Sequence, residues 1–388
     1  MRTVGVITGA RSDYGIYRPI LRRIQQDSDL ELHLIVTGMH LAPQFGSTVK
    51  AIEEDGFEIG DRIDILLMSD TSESLAKSLG LGIIGFAQSY CRFRPDILLV
   101  LGDRLEMLAA VAASLTFNIP VAHIHGGEST EGAIDESIRH AITKMSHLHF
   151  ASTDTYAQRI IQMGEEPWRV TVCGAPSLDN LRDISLLSPR ALNERHGLSL
   201  HDCTLLVTYH PVTLEFEETE AQMSELLAAL ERTDCGVIFT YPNSDTQNHV
   251  IIRMIHEFVD QHKKRCQVVV NLGTQSYFSL MSHVQAMVGN SSAGIIEAAS
   301  FKLPVVNIGN RQAGRLHGKN VINASYGRDE IVQAIKQAIS QEFKAGLADL
   351  INQYGDGGAS QRIVNRLKQV QLDERLLHKR FHVISMQS

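Results

Sequence analysis

No apolar run in this chain of 388 residues approaches the roughly 20 needed to cross a bilayer, so a membrane-spanning protein is not expected. The amino terminus, MRTVGVITGARSDYG, has an apolar segment too short for a signal peptide, with Arg11 and Asp13 close behind it. Positive charge is not in excess. The 36 Lys and Arg against 44 Asp and Glu leave a net charge of −8, which argues against wholesale nucleic-acid binding. Cysteine is sparse: Cys91, Cys173, Cys203, Cys235 and Cys266 are odd in number and scattered, with no C-x-x-C. Neither a disulfide framework nor a zinc ribbon is indicated, and buried, reduced thiols in a cytoplasmic protein are expected. The first turn, ITGARSDYG, is neither G-x-G-x-x-G nor a Walker loop, so no motif supports dinucleotide binding. Low-complexity segments and short repeats are missing too.

What is present is alternation. Short β-branched runs at 3–8, 32–37, 96–101, 121–125 and 148–153 are separated by stretches of helical spacing such as YRPILRRIQQ. A second series follows CGAPSLDNL, at 203–209, 236–242, 267–273, 286–290 and 304–309. Runs apolar on both faces suit parallel strands covered by helices on each side. The expected fold class is therefore α/β, with two Rossmann-like doubly wound domains facing a cleft. The join is placed near Gly174: residues 1–174 form the first domain and 175–360 the second. An amphipathic carboxy-terminal helix is expected at 361–380, with Ile363, Leu367, Val370 and Leu372 apolar, and would complete the first domain.

In open parallel sheets, ligands bind beyond the carboxyl ends of the strands. Nine loops there are polar: TGARSDYG, TGMH, GDR and HGGE in the first half, then YHPVT, YPNSD, GTQSY, GNSSAG and GNRQAGR. Such repetition points to a functional rim. In VGNSSAGIIE a buried strand ends at Gly289, and Ser291 and Ser292 open a helix whose free amides suit a phosphate oxygen. Glu297 can accept both hydroxyls of a ribose. An ordinary serine cap explains the serines equally well. Arg311 and Arg315 lie in the next loop, and a guanidinium fork suits a diphosphate.

The stretch VAHIHGGESTEGAIDESIRHAITK gathers His123, His125, Glu128, Glu131, Asp135, Glu136, Arg139 and His140. Of these, His123 is read as packed at the strand end, and Arg139 and His140 either position the carboxylates or face solvent. The candidates for proton transfer next to an activated carbon are His125, Glu128 and Asp135, with Asp103 in GDR and His210 in YHPVT. Two blander readings stand beside it. Carboxylates in a helix's first turn are stabilised by its dipole. His123 and His125, two apart on a strand, share a face, as metal ligands would. No third histidine or bridging carboxylate is evident, and no metal is expected.

Taken together, GDR, HIHGGE, IDESIRHAITKMSHLH, HPVT, GNSSAGIIE and IGNRQAGR resemble the hydrolysing UDP-N-acetylglucosamine 2-epimerases over most of the chain. The resemblance implies the glycosyltransferase-B arrangement, a UDP-sugar substrate, no metal or redox cofactor and a homo-oligomer, dimer or tetramer. It implies C2 deprotonation, anti elimination of UDP and hydration of the glucal, giving UDP and N-acetylmannosamine. Asp103 and Asp135 match carboxylates essential in the family, and His210 matches a histidine of its UDP-sugar site. Arg11, Arg104, Asn243, Ser291, Ser292, Glu297 and Arg315 match nucleotide contacts. One departure stands out: many relatives carry glutamate where this chain has His125, so either His125 or Glu128 must serve as acid or base. The same chemistry on UDP-2,4-diacetamido-2,4,6-trideoxyglucose, a non-hydrolysing epimerase, a glycosyltransferase and a non-catalytic UDP-sugar sensor are the alternatives.

Overall fold

Runs apolar at every position become strands buried on both faces, because alternate side chains must each find a covering layer. The computed structural model describes residues 1–42, 48–67, 71–130, 134–212, 215–242 and 247–384. The chain divides into two units: Met1–Glu128 with Ile134–Arg182 and Tyr354–Ser388, and Ser129–Ala133 with Asp183–Gln353.

Among the described residues, the first unit holds seven parallel strands. They are β1 (Arg2–Thr8), β2 (Leu30–Thr37), β3 (Ile59–Ile63), β4 (Ile97–Leu101), β5 (Val121–Ile124), β6 (Leu148–Ala151) and β7 (Val170–Val172), ordered β3-β2-β1-β4-β5-β6-β7. Alternation along β1 and β4 splits the core in two. Val4, Val6, Ile97 and Leu99 join one buried cluster, while Ile7, Leu98 and Val100 join another on the opposite face. The second unit holds β8 (Thr204–Thr208), β9 (Gly236–Thr240), β10 (Cys266–Val269), β11 (Ala286–Gly289), β12 (Val305–Ile308) and β13 (Val321–Ala324). Their order is β10-β9-β8-β11-β12-β13, again parallel. Each unit is thus a doubly wound α/β sheet, as the alternation implied. In each, strand order reverses once, beside β1 and β4 in the first and beside β8 and β11 in the second, which opens a crevice at the strand ends.

Three strands escape the sequence pattern: β3, β7 and β13. All three are sheet edges. An edge strand is covered on fewer sides and carries polar residues, as Asp61 and Arg62 do in β3, so its apolar signature is weak.

The bounds also differ from those expected. Residues 175–182 belong to the first unit. Asn180 donates to the Gly15 carbonyl (3.1 Å), and buried Asp179 accepts from the amides of Ala359 and Ser360 at 2.9 and 2.6 Å. The carboxy-terminal helix is two helices, Ala359–Gln369 and Glu374–Leu377. Val370 takes an extended conformation, and Asp373 caps the short second helix by accepting from the Leu376 amide. Ile363, Val364, Leu367, Val370 and Leu376 enter the core cluster around Val4 and Tyr17. No described helix is long and apolar enough to cross a membrane.

The cysteine reading requires correction. Cys203 and Cys235 form a disulfide, with Cα atoms 4.8 Å apart and a sequence separation of 32. Each directly precedes a strand, and Thr204 of β8 pairs with Gly236 of β9, so register brings together what spacing kept apart. Of the other three, Cys173 and Cys266 are buried, but Cys91 is exposed.

Candidate active site

In the first unit, four strand ends supply charge. After β1, Arg11 is exposed and opens the helix Arg11–Gln26. The buried carboxylate two residues later does the capping: Asp13 accepts from the amides of Gly9 and Ala10 and from the Thr8 hydroxyl at 2.7 Å. His40, after β2, joins the Thr8 hydroxyl at 2.9 Å. Burial alone would raise the Asp13 pKa, but the nearby His40 ring, 3.8 Å away, the charge of Arg104 and the Thr8 and Gly9 donors bring it below the ordinary carboxylate value. After β4, Gly102 turns at φ +74° and leads to Asp103 and Arg104. Arg104 pairs with buried Glu106 at 3.0 Å and also reaches the Met39 sulfur.

After β5, the chain turns sharply at His125, whose φ of +65° lies in the left-handed region that side chains other than glycine's seldom adopt. Gly127 follows at φ +76°, where a Cβ would meet the Tyr156 carbonyl at 2.4 Å, so the second glycine of the Gly-Gly pair is a steric requirement. The turn corrects the His-x-His reading. The strand ends at Ile124, alternation stops there, and the two imidazoles enter different environments. His123 is fully buried, bonded to the Gly102 carbonyl (2.7 Å) and the Thr143 hydroxyl, with its pKa pushed down to about 3, first by burial. His125 instead bonds through Nδ1 to Glu128. Glu128 is 3% exposed and also accepts from the Ser152 hydroxyl at 2.8 Å, at the end of β6.

The organising cation is Arg139, which is 1% exposed. It lies one turn into the helix Ile134–Met145 and donates through Nε (2.9 Å) and a second nitrogen to Asp103, to Glu136 at 2.7 Å, and to the Glu128 carbonyl at 2.9 Å. Burial opposes its charge, but Asp103 and Glu128 outweigh burial and raise its pKa. A guanidinium buried this deeply is tolerated because its donors are met by carboxylates and a carbonyl. Asp103 and Glu128 thus share one buried arginine, whereas Asp135, in the first turn of that helix, is exposed. His147 and His149 belong elsewhere. The His147 ring accepts from the Val121 amide at 3.1 Å, while His149 meets buried Glu165 at 3.0 Å.

The second unit's rim is built differently. β8 leads to His210 and β11 to Asn290, the strands flanking the reversal in order. Gly289 turns at φ +134°, and a Cβ there would meet the Thr208 carbonyl at 2.0 Å. Asn290 is fully buried and ties three loops together. Its side chain accepts from the His210 amide (2.7 Å) and donates to the His210 carbonyl (2.9 Å). Its own carbonyl accepts from Gln312 (2.8 Å) and Arg311 (3.2 Å). Ser291 caps the short helix Ser292–Ile296 by accepting from the Ala293 amide, and buried Glu297 ends it. Burial raises the pKa of the Tyr277 phenol, with the nearby Thr208 and Ser291 hydroxyls opposing it and the charge of Glu297 adding to it. Arg315 lines a polar cavity of about 430 Å³ with Asn307, Asn310, His317 and Tyr326.

Asp103, His125 and Glu128 are therefore brought into one network in the first unit. His210, Gly289, Ser291, Ser292, Glu297 and Arg315 lie along the strand-end loops of the second. Asn243 lies outside the described residues. Sequence reasoning missed Asn290, Gln312 and Tyr277 here, and Asp13, His40 and Ser152 in the first unit. Asn290 left a signal, a polar amide directly after a fully apolar strand, where an unpartnered side chain would be costly.

A family model for UDP-N-acetylglucosamine 2-epimerase matches residues 22–368. The chain belongs to that family. It is 38% identical over 380 residues to a hydrolysing UDP-N,N'-diacetylbacillosamine 2-epimerase of Legionella pneumophila, covering 98% of this chain and 99% of the relative. A UDP-N-acetylglucosamine 2-epimerase of Neisseria meningitidis is 34% identical over 342 residues, covering 88% of each. Among solved structures, a UDP-N-acetylglucosamine 2-epimerase from Neisseria meningitidis, bound to UDP-N-acetylglucosamine, shares the fold. Its TM-score is 0.81 at 17% identity, over 95% of this chain and 99% of that one.

Proposed function

We propose that this member of the family is a hydrolysing 2-epimerase that converts a UDP-2-acetamido sugar and water into UDP and the free 2-epimeric sugar. The C2 proton leaves to a base, its electron pair forms the C1=C2 bond, and the C1–O bond breaks onto the β-phosphoryl oxygen of UDP. Water then adds across the double bond, hydroxyl to C1 and proton to C2. Asp103, His125 and Asp135 serve the proton transfers. His210, Ser291, Ser292, Glu297 and Arg315 serve the nucleotide, with Arg11 and Arg104 as further cations and Asn243 as a further contact.

The observation that carries this reading is full-length similarity, at 38% identity, to relatives described as hydrolysing diacetylbacillosamine 2-epimerases. It favours UDP-2,4-diacetamido-2,4,6-trideoxyglucose as substrate. UDP-N-acetylglucosamine, giving N-acetylmannosamine, is the second reading, favoured by the 34% identical Neisseria relative. The test is NMR of the products from each UDP-sugar in deuterated water. Free 2-epimeric sugar with deuterium at C2 is expected. A product that keeps its UDP would make the enzyme a non-hydrolysing epimerase, and no turnover with either sugar would favour a sensor.

A further inference from the structure

We infer that Glu128 is a positioning residue for His125, and that the His125 Nε2 atom performs one of the two proton transfers at C2. The inference deepens the function proposed above and rests on it. Sequence left His125 and Glu128 as rival acid/base groups. Their geometry makes them partners, since Glu128 Oε1 is hydrogen bonded to His125 Nδ1 and the same oxygen also accepts from the Ser152 hydroxyl.

The chemistry of the bond fixes the tautomer. An ionised carboxylate can only accept, so Nδ1 must carry the proton and Nε2 of a neutral ring keeps its lone pair. Glu128 is pinned at its backbone too, where its carbonyl accepts from Arg139. The left-handed turn at His125, an uncommon conformation for such a residue, turns the imidazole toward Glu128 rather than along the strand face of His123.

In the elimination step, Nε2 accepts the C2 proton, the C2–H pair forms the C1=C2 bond, and UDP leaves with the C1–O pair. The imidazolium is stabilised by the Glu128 carboxylate and later returns its proton to solvent. The charged and titratable groups around the pair are His123, Arg139, Arg159 (bonded to the Gly127 carbonyl at 2.8 Å) and Cys173. His123, held down to about 3, and Cys173, raised by burial, stay neutral near pH 7. The two arginines stay cationic, so the carboxylate is the group that favours the imidazolium.

The test combines kinetics with NMR of the full chain. In wild type, 15N NMR of the neutral His125 ring should show the Nδ1–H tautomer, and an Nε2–H tautomer overturns the inference whatever the activity. Glu128→Gln should lower kcat by about 100-fold while UDP affinity stays within about twofold. In Glu128→Gln the same spectrum should show a mixture of tautomers, because an amide can donate as well as accept. In a His125→Glu background the same change should add little. A fall in kcat with the Nδ1–H tautomer unchanged in that variant marks Glu128 as structural only. Failure of wild type to release UDP from either sugar would instead defeat the function proposed above.

Discussion

The two rims use opposite materials. In the first unit, charge is held by charge: Arg139 joins Asp103, Glu136 and the Glu128 carbonyl, and Arg104 joins Glu106. In the second, a neutral amide, Asn290, ties the loops, with hydroxyls, glycine and a caught helix end around it. Groups that move protons need carboxylates and imidazoles fixed in orientation, and buried ions stay fixed only when paired. A site for an anion needs close backbone approach, which neutral small residues allow.

Four experiments break or sharpen this contrast. The largest effect is expected from Asp103→Asn, which should lower kcat by about 100-fold or more while UDP affinity, measured calorimetrically, stays within about twofold. Equal loss of both would erase the division of labour. Next, Asn290→Ala leaves the His210 amide and carbonyl without their partner. It should cost about 2–4 kcal/mol in unfolding measurements and weaken UDP binding, with no effect on the first unit's histidines.

The third test is acid sensitivity. The ordinary histidine value is 6.5, but burial first, then nearby charges, hold His123 down to about 3 and His147 to about 4. Below pH 6.5 the unfolded chain binds these protons and the folded one does not. Stability contributed by the pair is therefore complete above 6.5 and declines as pH falls toward 4, by up to about 1.4 kcal/mol per unit per histidine. Trp168, the sole tryptophan, belongs to the first unit and reports on it by fluorescence. Its denaturation midpoint should fall between pH 7 and 5, and a flat profile would contradict the burial of both rings. The smallest effect is expected of Ser291→Ala, which removes a cap bond to Ala293 and the nucleotide contact proposed for its hydroxyl. UDP affinity should fall by about 10-fold, roughly 1.4 kcal/mol, with kcat little changed.

Much of the candidate site is legible because strand-end loops betray themselves as polar breaks after apolar runs. GDR, HGGE and GNSSAG were found that way. For Arg139 the sequence leaves two roles open, positioning the carboxylates or facing solvent, since nothing in IDESIRHAITKM shows that this position turns toward β4. Asn290 passed as the tail of a strand. The edge strands β3, β7 and β13 stayed hidden for lack of a two-faced apolar pattern.

The sequence by itself determined the α/β alternation, the central strands and the polar loops at their ends, because burial on both faces writes an uninterrupted apolar run. Tertiary structure alone decided which ions meet and which cysteines join. Asp103 finds Arg139 across 36 residues, and Cys203 finds Cys235 across 32, through strand order and register. It also decided that His125 and Glu128 are partners rather than rivals. That follows from one left-handed turn, a backbone choice made by packing around Gly127 that the run of residue types does not display.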